Sequence, residues 1–328
     1  MSSSEPGVGL SQNPHSWAVE ESAGRQRPEP PDGVRNDFQR DRDRIIHAKA
    51  FRRLMHKTQV FISPDGDHFR TRLTHTLEMM QISRTIARSL RLNEDLTEAI
   101  SLGHDLGHTP FGHTGEEALS SALAAHGRDF RHNEHSLRVV DHLEKQGDGL
   151  NLTFEVRDGI RNHTGQAYPS TREGEIVRVA DRIAYVNHDV DDALRAGIIS
   201  SQDLPRGPIS VLGEQMSARI DTLVRDMISN SKEKGEITLS DSVYGALMEL
   251  RTWLFRHVYN NKLGSRENQK AARVVTALFE YYLDHPEERV PSDPDPLTET
   301  TDFVAGMTDR YALATYRRLL LPRGEIFA

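Results

Sequence analysis

Residues 104–113 read His-Asp-Leu-Gly-His-Thr-Pro-Phe-Gly-His. An adjacent His104 and Asp105, followed by His108 and His113, is a poor recipe for a packed core. It is a good one for a metal site facing phosphate. Imidazole offers a neutral nitrogen ligand, aspartate a hard anionic oxygen, and Gly107 and Gly112 allow backbone and substrate to approach closely. A polar loop after a helix is the plainer reading of one such dipeptide. A buried, ionised Asp105 needs a neutralising partner, and a bound cation or an arginine would each serve. Both readings stand open on this segment alone.

Other segments carry chemistry of the same kind. His75 follows Arg70-Thr-Arg-Leu-Thr and could supply another imidazole. Between residues 176 and 190, Ile176, Val179, Ile183, Val186 and Val190 form one apolar face. Asp181, Tyr185 and Asp189 recur at i, i+4 and i+8 on another, separated by small Ala180 and Ala184. That second face reads either as solvated or as the wall of a cavity. His113 and Glu116 stand three residues apart, where a carboxylate behind an imidazole would fix its tautomer and suit proton transfer.

Helices must position these groups. Leu96, Ala99, Ile100 and Gly103 follow the i, i+3, i+4, i+7 rule after a capping Asn93, and His104 continues that stripe at the helix end. Leu73, Leu77, Met80, Ala87 and Leu90 mark a second helix; Val243–Val258 and Ala271–Leu283 mark two more. Alternating β-branched strands are almost absent, so the fold class is all-α with ten or more helices. Residues 1–35, rich in Ser, Pro, Gly and Glu, read as a disordered tail. A single domain is expected over 36–328, with a metal core at about 70–195 and a C-terminal helical part at about 205–328. The proline-rich segment 285–296 breaks the latter, and smaller breaks fall near 203–208 and 232–237.

The 328 residues suffice for an ample core. The net charge of −8, from 41 Lys+Arg against 49 Asp+Glu, does not suggest a general nucleic-acid or membrane binder. Cysteine is absent, which excludes disulfides, thiolate zinc and a cysteine nucleophile. With no long apolar run, neither a membrane span nor Sec export is read, and a cytoplasmic location is expected.

Seven motifs in order then resemble the deoxyguanosine triphosphate triphosphohydrolase (dGTPase-like) family of HD-domain phosphohydrolases. They are Asp41 to Leu54, Lys57 to Phe61, Arg70 to Glu78, His104 to His113, His132 to Arg138, Val179 to Tyr185 and Asp302 to Tyr311. The resemblance spans roughly residues 35–320. It implies an all-α HD-domain fold and hydrolysis of deoxynucleoside triphosphates to deoxynucleoside and inorganic triphosphate.

By position, the resemblance implies His75, His104, Asp105 and Asp181 as ligands of one divalent metal. Two imidazoles and two carboxylates suit Mn, Mg, Fe, Co or Ni better than a closed structural zinc. It implies His113 as general acid with Glu116 as its orienter, and His132 as a further catalytic histidine. Arg72, His108 and Arg182 would meet the phosphates, although Arg182 stands where some relatives carry lysine. Gln59, Tyr185 and Asp189 would line the deoxyribose, with Arg53 and Lys57 structural or at a subunit contact. A homo-oligomer is expected, and activation by a second nucleotide is an option. Single-stranded DNA as a partner has no support in the residues. The alternatives are another HD nucleotide monophosphatase or phosphodiesterase, and a non-catalytic nucleotide- or single-stranded-DNA-binding regulator.

Overall fold

A computed structural model describes residues 17–59, 69–259, 262–289 and 292–322. Among the described residues there are fourteen α-helices and no strand, only two isolated bridges. The all-α expectation holds. Helices α1 (Asp37–Ile46) and α2 (Lys49–Arg53) lead into α3 (Arg72–Leu90) and α4 (Glu94–Gly103). Then come α5 (Gly112–Ala124), α6 (His132–Arg138), α7 (Phe154–Asn162) and the long α8 (Arg172–Arg195). Helices α9 (Arg206–Leu212), α10 (Met216–Lys234) and α11 (Asp241–Leu254) precede α12 (Lys262–Asp284), α13 (Pro296–Ala305) and α14 (Asp309–Leu320).

Local rules account for the elements that matter to the site. The Asn93 side chain accepts from Leu96 N at 3.0 Å and starts α4, a cap worth about 1 kcal/mol. Leu96, Ala99, Ile100 and Gly103 are then buried, which delivers His104 to the helix end inside the protein. On α3 the buried face runs through His75, Met79, Ile82, Ile86 and Leu90. Leu77, expected on that stripe, is instead exposed, because the face turns to follow the 3.6-residue period from His75. On α8, Ile176, Ile183, Val186 and Val190 are buried as expected, with Val179 half-buried.

Packing produces two apolar cores. The larger gathers α1 to α4, α7, α8 and also α9 to α11, through Leu212, Leu223, Leu247 and Leu254. The smaller joins α5 to α12, α13 and α14, through Leu119, Val275, Phe279 and Ala312. The expected division near residue 205 is therefore not where the packing divides: α9–α11 extend the first core, and α5 belongs with the C-terminal helices. Apolar stripes show that a helix is buried, but not which partner buries it.

The tail expectation also needs correction from residue 17 onward; residues 1–16 lie outside the described residues. Segment 17–35 is held by polar contacts. Val19 N and Asn93 N both donate to Glu173 Oε1, at 3.1 and 3.0 Å. Ala23 N donates to Glu155, and Phe154 N to Gly24 O. The buried Arg25 guanidinium pairs with buried Asp41 and donates to Asn151 O at 2.8 Å. A strap fastened by ion pairs and backbone bonds carries no apolar period, so composition alone misreads it.

No helix among the described residues is long and apolar enough to cross a membrane. Within the expected 285–296 break, the described residues show a tight turn at Pro286–Glu288 and Pro296 opening α13 under an Asp295 cap.

Candidate active site

Helices α3, α4 and α8 bring His75, His104 and Asp181 together, their ligand atoms all within 4.8 Å of one another. His75 Nε2 lies 3.1 Å from Asp181 Oδ1. His104 Nδ1 donates to Ser101 O at 2.7 Å, so its lone pair is on Nε2. That Nε2 is buried without a hydrogen-bond partner, 3.8 Å from Asp181 Oδ1 and 3.6 Å from Asp105 Oδ2. A buried nitrogen lone pair left open among carboxylate and imidazole ligand atoms fits a divalent cation. Burial would raise the Asp181 carboxyl, but the adjoining His75 and His104 imidazoles hold it well below the ordinary range.

Asp105 behaves differently from the other three. Its Oδ2 pairs with Arg72 Nη1 at 2.5 Å, both side chains being buried. Burial alone would raise this carboxyl; Arg72, then His104, His108 and His132, bring it far down instead. Of the two partners open on the sequence, the arginine is thus present, and Asp105 Oδ2 still faces His104. Arg72 Nε is left without a partner.

A second group adjoins the first through Asp105, whose ligand atom lies within 4.8 Å of those of His108 and His132. Glu116 is its centre. It accepts from His132 Nδ1 at 2.8 Å and His132 N at 2.9 Å, and lies 3.2 Å from His113 Nδ1. Glu116 therefore holds two imidazoles, and His132 by the shorter contacts, where the sequence reading gave it His113 alone. Burial would raise Glu116, but these hydrogen bonds pull it far below the carboxylate range. His132 is correspondingly raised: burial lowers it, and Glu116 outweighs that. His108 stacks on His132 with centroids 4.6 Å apart, and burial with Arg72 and His132 keeps it well below its usual value. The His113 side chain is 75% exposed against 16% for Glu116, so one ring of the group faces outward.

The loop carrying these residues is tied down from several directions. A side chain at Gly107 would collide with the backbone of Ser136, so the close approach made there is to α6 rather than to a ligand. Gly112 takes φ +60°, a conformation that suits glycine at the start of α5. Buried Lys57 donates to the carbonyls of His108 and Ala305. Asp309 accepts from Thr58 N, Thr58 Oγ1 and Phe111 N. The Met307–Tyr311 motif thus fastens the histidine loop to the C-terminal core, and Arg53 joins it through Gly306 O.

Further along α8, Tyr185 is half-buried and its hydroxyl accepts from Arg251 Nε at 2.5 Å. Asp189 is buried, accepts from the Tyr259 hydroxyl, and keeps Oδ1 without a partner; burial pushes it up to about 7. Gln59 is buried with Oε1 unpartnered, while Arg182 is half-buried beside Asp181. Unpartnered buried polar atoms of this kind mark places where a ligand atom would be welcome.

Sequence reasoning missed four neighbours. His163 Nε2 lies 3.3 Å from His132 Nε2, its ring against His104, and burial with those two imidazoles takes it down to about 3. His188 touches His75; burial, His75 and Arg70 take it down to about 2. Arg251 and Tyr259 hold Tyr185 and Asp189. Only His188, two turns on from Asp181, stood on a face already singled out.

The HD domain family matches residues 72–186, and the phosphohydrolase-associated domain matches 237–318. A "deoxyguanosinetriphosphate triphosphohydrolase-like protein" of Caldanaerobacter subterraneus subsp. tengcongensis is 55% identical over 94% of this chain and 92% of its own. Proteins with the same description from Clostridium perfringens and Ralstonia pickettii are 48% and 39% identical, each over 93% of this chain. Their own lengths are covered to 92% and 94%. Among solved structures, a hypothetical protein from Aquifex aeolicus shares the fold, with TM-score 0.51 and 18% identity over 85% of this chain and 71% of that one.

Proposed function

The chain belongs to the deoxyguanosinetriphosphate triphosphohydrolase-like family of HD-domain phosphohydrolases, and we propose that it hydrolyses deoxynucleoside triphosphates to deoxynucleoside and inorganic triphosphate. The observation that carries this reading is the joining, through Asp105, of a cation-ready cluster to a carboxylate that holds two imidazoles.

His75, His104, Asp105 and Asp181 would hold a divalent cation, which when bound supplies Lewis-acid polarisation of the α-phosphate and acidifies water. The chain's own groups do the rest. Arg72, with Nε open, His108 and Arg182 meet phosphate charge. Water attacks the α-phosphorus, a phosphorus–oxygen bond to water forms, and the bond to the 5′-oxygen breaks. His113, in its protonated form, delivers a proton from Nε2 to that 5′-oxygen, and anionic Glu116 on Nδ1 steadies the imidazolium. The water's proton passes to solvent, which reprotonates His113. Glu116 also fixes His132, whose raised pKa keeps positive charge beside the phosphates. Gln59, Tyr185 and Asp189 receive the deoxyribose.

The test is a panel of the four deoxynucleoside triphosphates and GTP with Mn or Mg, the products separated by ion-exchange chromatography. Deoxynucleoside with intact triphosphate is the expected outcome. Orthophosphate release, or turnover of a monophosphate or cyclic nucleotide instead, would move the chain to another HD phosphohydrolase activity. Binding with no turnover of any nucleotide would make it a regulator.

A further inference from the structure

Helix α8 carries a buried histidine that none of these roles uses. His188 Nδ1 lies 3.2 Å from His75 Nδ1, the rings edge to face at 87°. His188 Nε2 lies 3.2 Å from Glu78 Oε2, and Glu78 is itself bonded by Arg70 Nε at 2.9 Å. The order Arg70, Glu78, His188, His75 therefore ends on an imidazole of the cation cluster.

A count of protons gives this order a purpose. Neutral His75 has one ring proton and two acceptors within reach: Asp181 Oδ1 at Nε2, and His188 Nδ1 at Nδ1. With the proton on Nε2, two ligand candidates are bonded to each other and His75 has no lone pair for a cation. With the proton on Nδ1, the Nε2 lone pair faces His104 and Asp181. That tautomer needs an acceptor at His188 Nδ1, which in turn places the His188 proton on Nε2, on the side of the Glu78 carboxylate. The His75 proton then has a partner in His188 Nδ1, the His188 proton lies on the Glu78 side, and the lone pairs facing the cluster stay free.

We propose that His188, backed by Glu78, is a positioning residue that holds His75 in the tautomer able to bind the cation. The proposal rests on the reading of His75 as a ligand. A packing role would require only the shape of the ring, whereas this one requires an acceptor at one atom.

Calorimetric titration of Mn²⁺ into the metal-free full chain tests it, with metal-free melting curves measured alongside. His188→Leu weakens Mn²⁺ binding by about 10–100-fold, the usual scale for an outer partner of a metal-bound histidine. His188→Asn, whose Oδ1 falls near the place of the imidazole Nδ1 and accepts, stays within about threefold of wild type. The metal-free melting temperatures of the two variants match. Wild-type affinity in His188→Leu, or equal weakening in both variants, overturns the proposal. Should His188→Leu not fold, Glu78→Leu at the partly exposed end of the order serves instead: weaker binding supports the proposal and unchanged binding overturns it. His75→Ala separates the premises. Wild-type binding there removes the ligand reading and His188's role with it, whereas loss there with normal binding in His188→Leu removes His188's role alone.

Discussion

The two sides of the histidine cluster are built on different principles. On the side proposed to hold the cation, His75 and Asp181 stand on α3 and α8 and His104 caps the end of α4, all helices of the larger core, and both rings are buried with each Nδ1 against a fixed partner. On the proton side, His113 and Glu116 come from α5, which packs with the C-terminal helices, and one carboxylate serves two rings. A cation needs lone pairs fixed in a dry place before it arrives. The proposed proton donor would have to meet a leaving group that comes from solvent, and His113 is exposed while Glu116 is half-buried. Lys57, Asp309 and the His135–Asp302 contact at 3.2 Å keep the two sides in register.

The largest effects should fall on the cation side. Asp181→Ala is expected to lose bound cation and to reduce turnover to background, with the fold kept; elemental analysis and rate assays on one preparation check this. Full cation content with near-normal hydrolysis would erase the distinction. Asp105→Ala should lose activity equally and also destabilise the metal-free protein by about 3–5 kcal/mol, since Arg72 is left as a buried unpaired charge. Urea unfolding in chelator measures that difference, and an undiminished midpoint would show that the pair contributes nothing.

On the proton side, His113→Ala should lower kcat by about 10²–10⁴-fold while cation stays bound. Because Glu116 holds both His113 and His132, Glu116→Ala should cost at least as much as His113→Ala. A clearly milder Glu116→Ala would mean that its bonds to His132 are structural only.

A smaller effect concerns pH. The folded pKa of His132 is raised above its ordinary 6.5 by Glu116. Its stabilising contribution is therefore fully present below about 6.5 and disappears as pH rises through the higher folded value. In the chelated protein, the loss of melting temperature in His132→Gln should be greater at pH 6 than at pH 9. A loss independent of pH would show the ring acting by packing rather than by charge.

The smallest effect lies beyond both sides, where Arg251 holds the Tyr185 hydroxyl. Arg251→Leu is expected to leave cation and kcat for dGTP near wild type while narrowing the preference for dGTP over GTP. An unchanged ratio of specificity constants would remove Tyr185 from sugar selection.

Local signals were legible wherever residues close in sequence sufficed. The Asn93 cap, the α4 stripe ending at His104, and the i, i+4, i+8 row of Asp181, Tyr185 and Asp189 all depend on a helix and its neighbouring turns. Legibility ended where the partner lies far along the chain. His188 meets His75 across 113 positions, His163 meets His132 across 31, and Asp309 reaches Thr58 across 251. The 17–35 strap was unreadable for the same reason, since Arg25 and Glu173 act through single polar contacts that leave no period.

The sequence by itself determined which chemistry is available: imidazoles, carboxylates and arginines at helical spacings, no thiol, and enough apolar stripes for an all-α fold. Only the tertiary structure decided how that chemistry is shared. It gave Asp105 to Arg72, gave Glu116 two imidazoles instead of one, and turned α5 toward the C-terminal helices. Spacing along a helix fixes which face a side chain takes, but a hydrogen bond also needs a partner atom within about 3 Å, and packing alone supplies it.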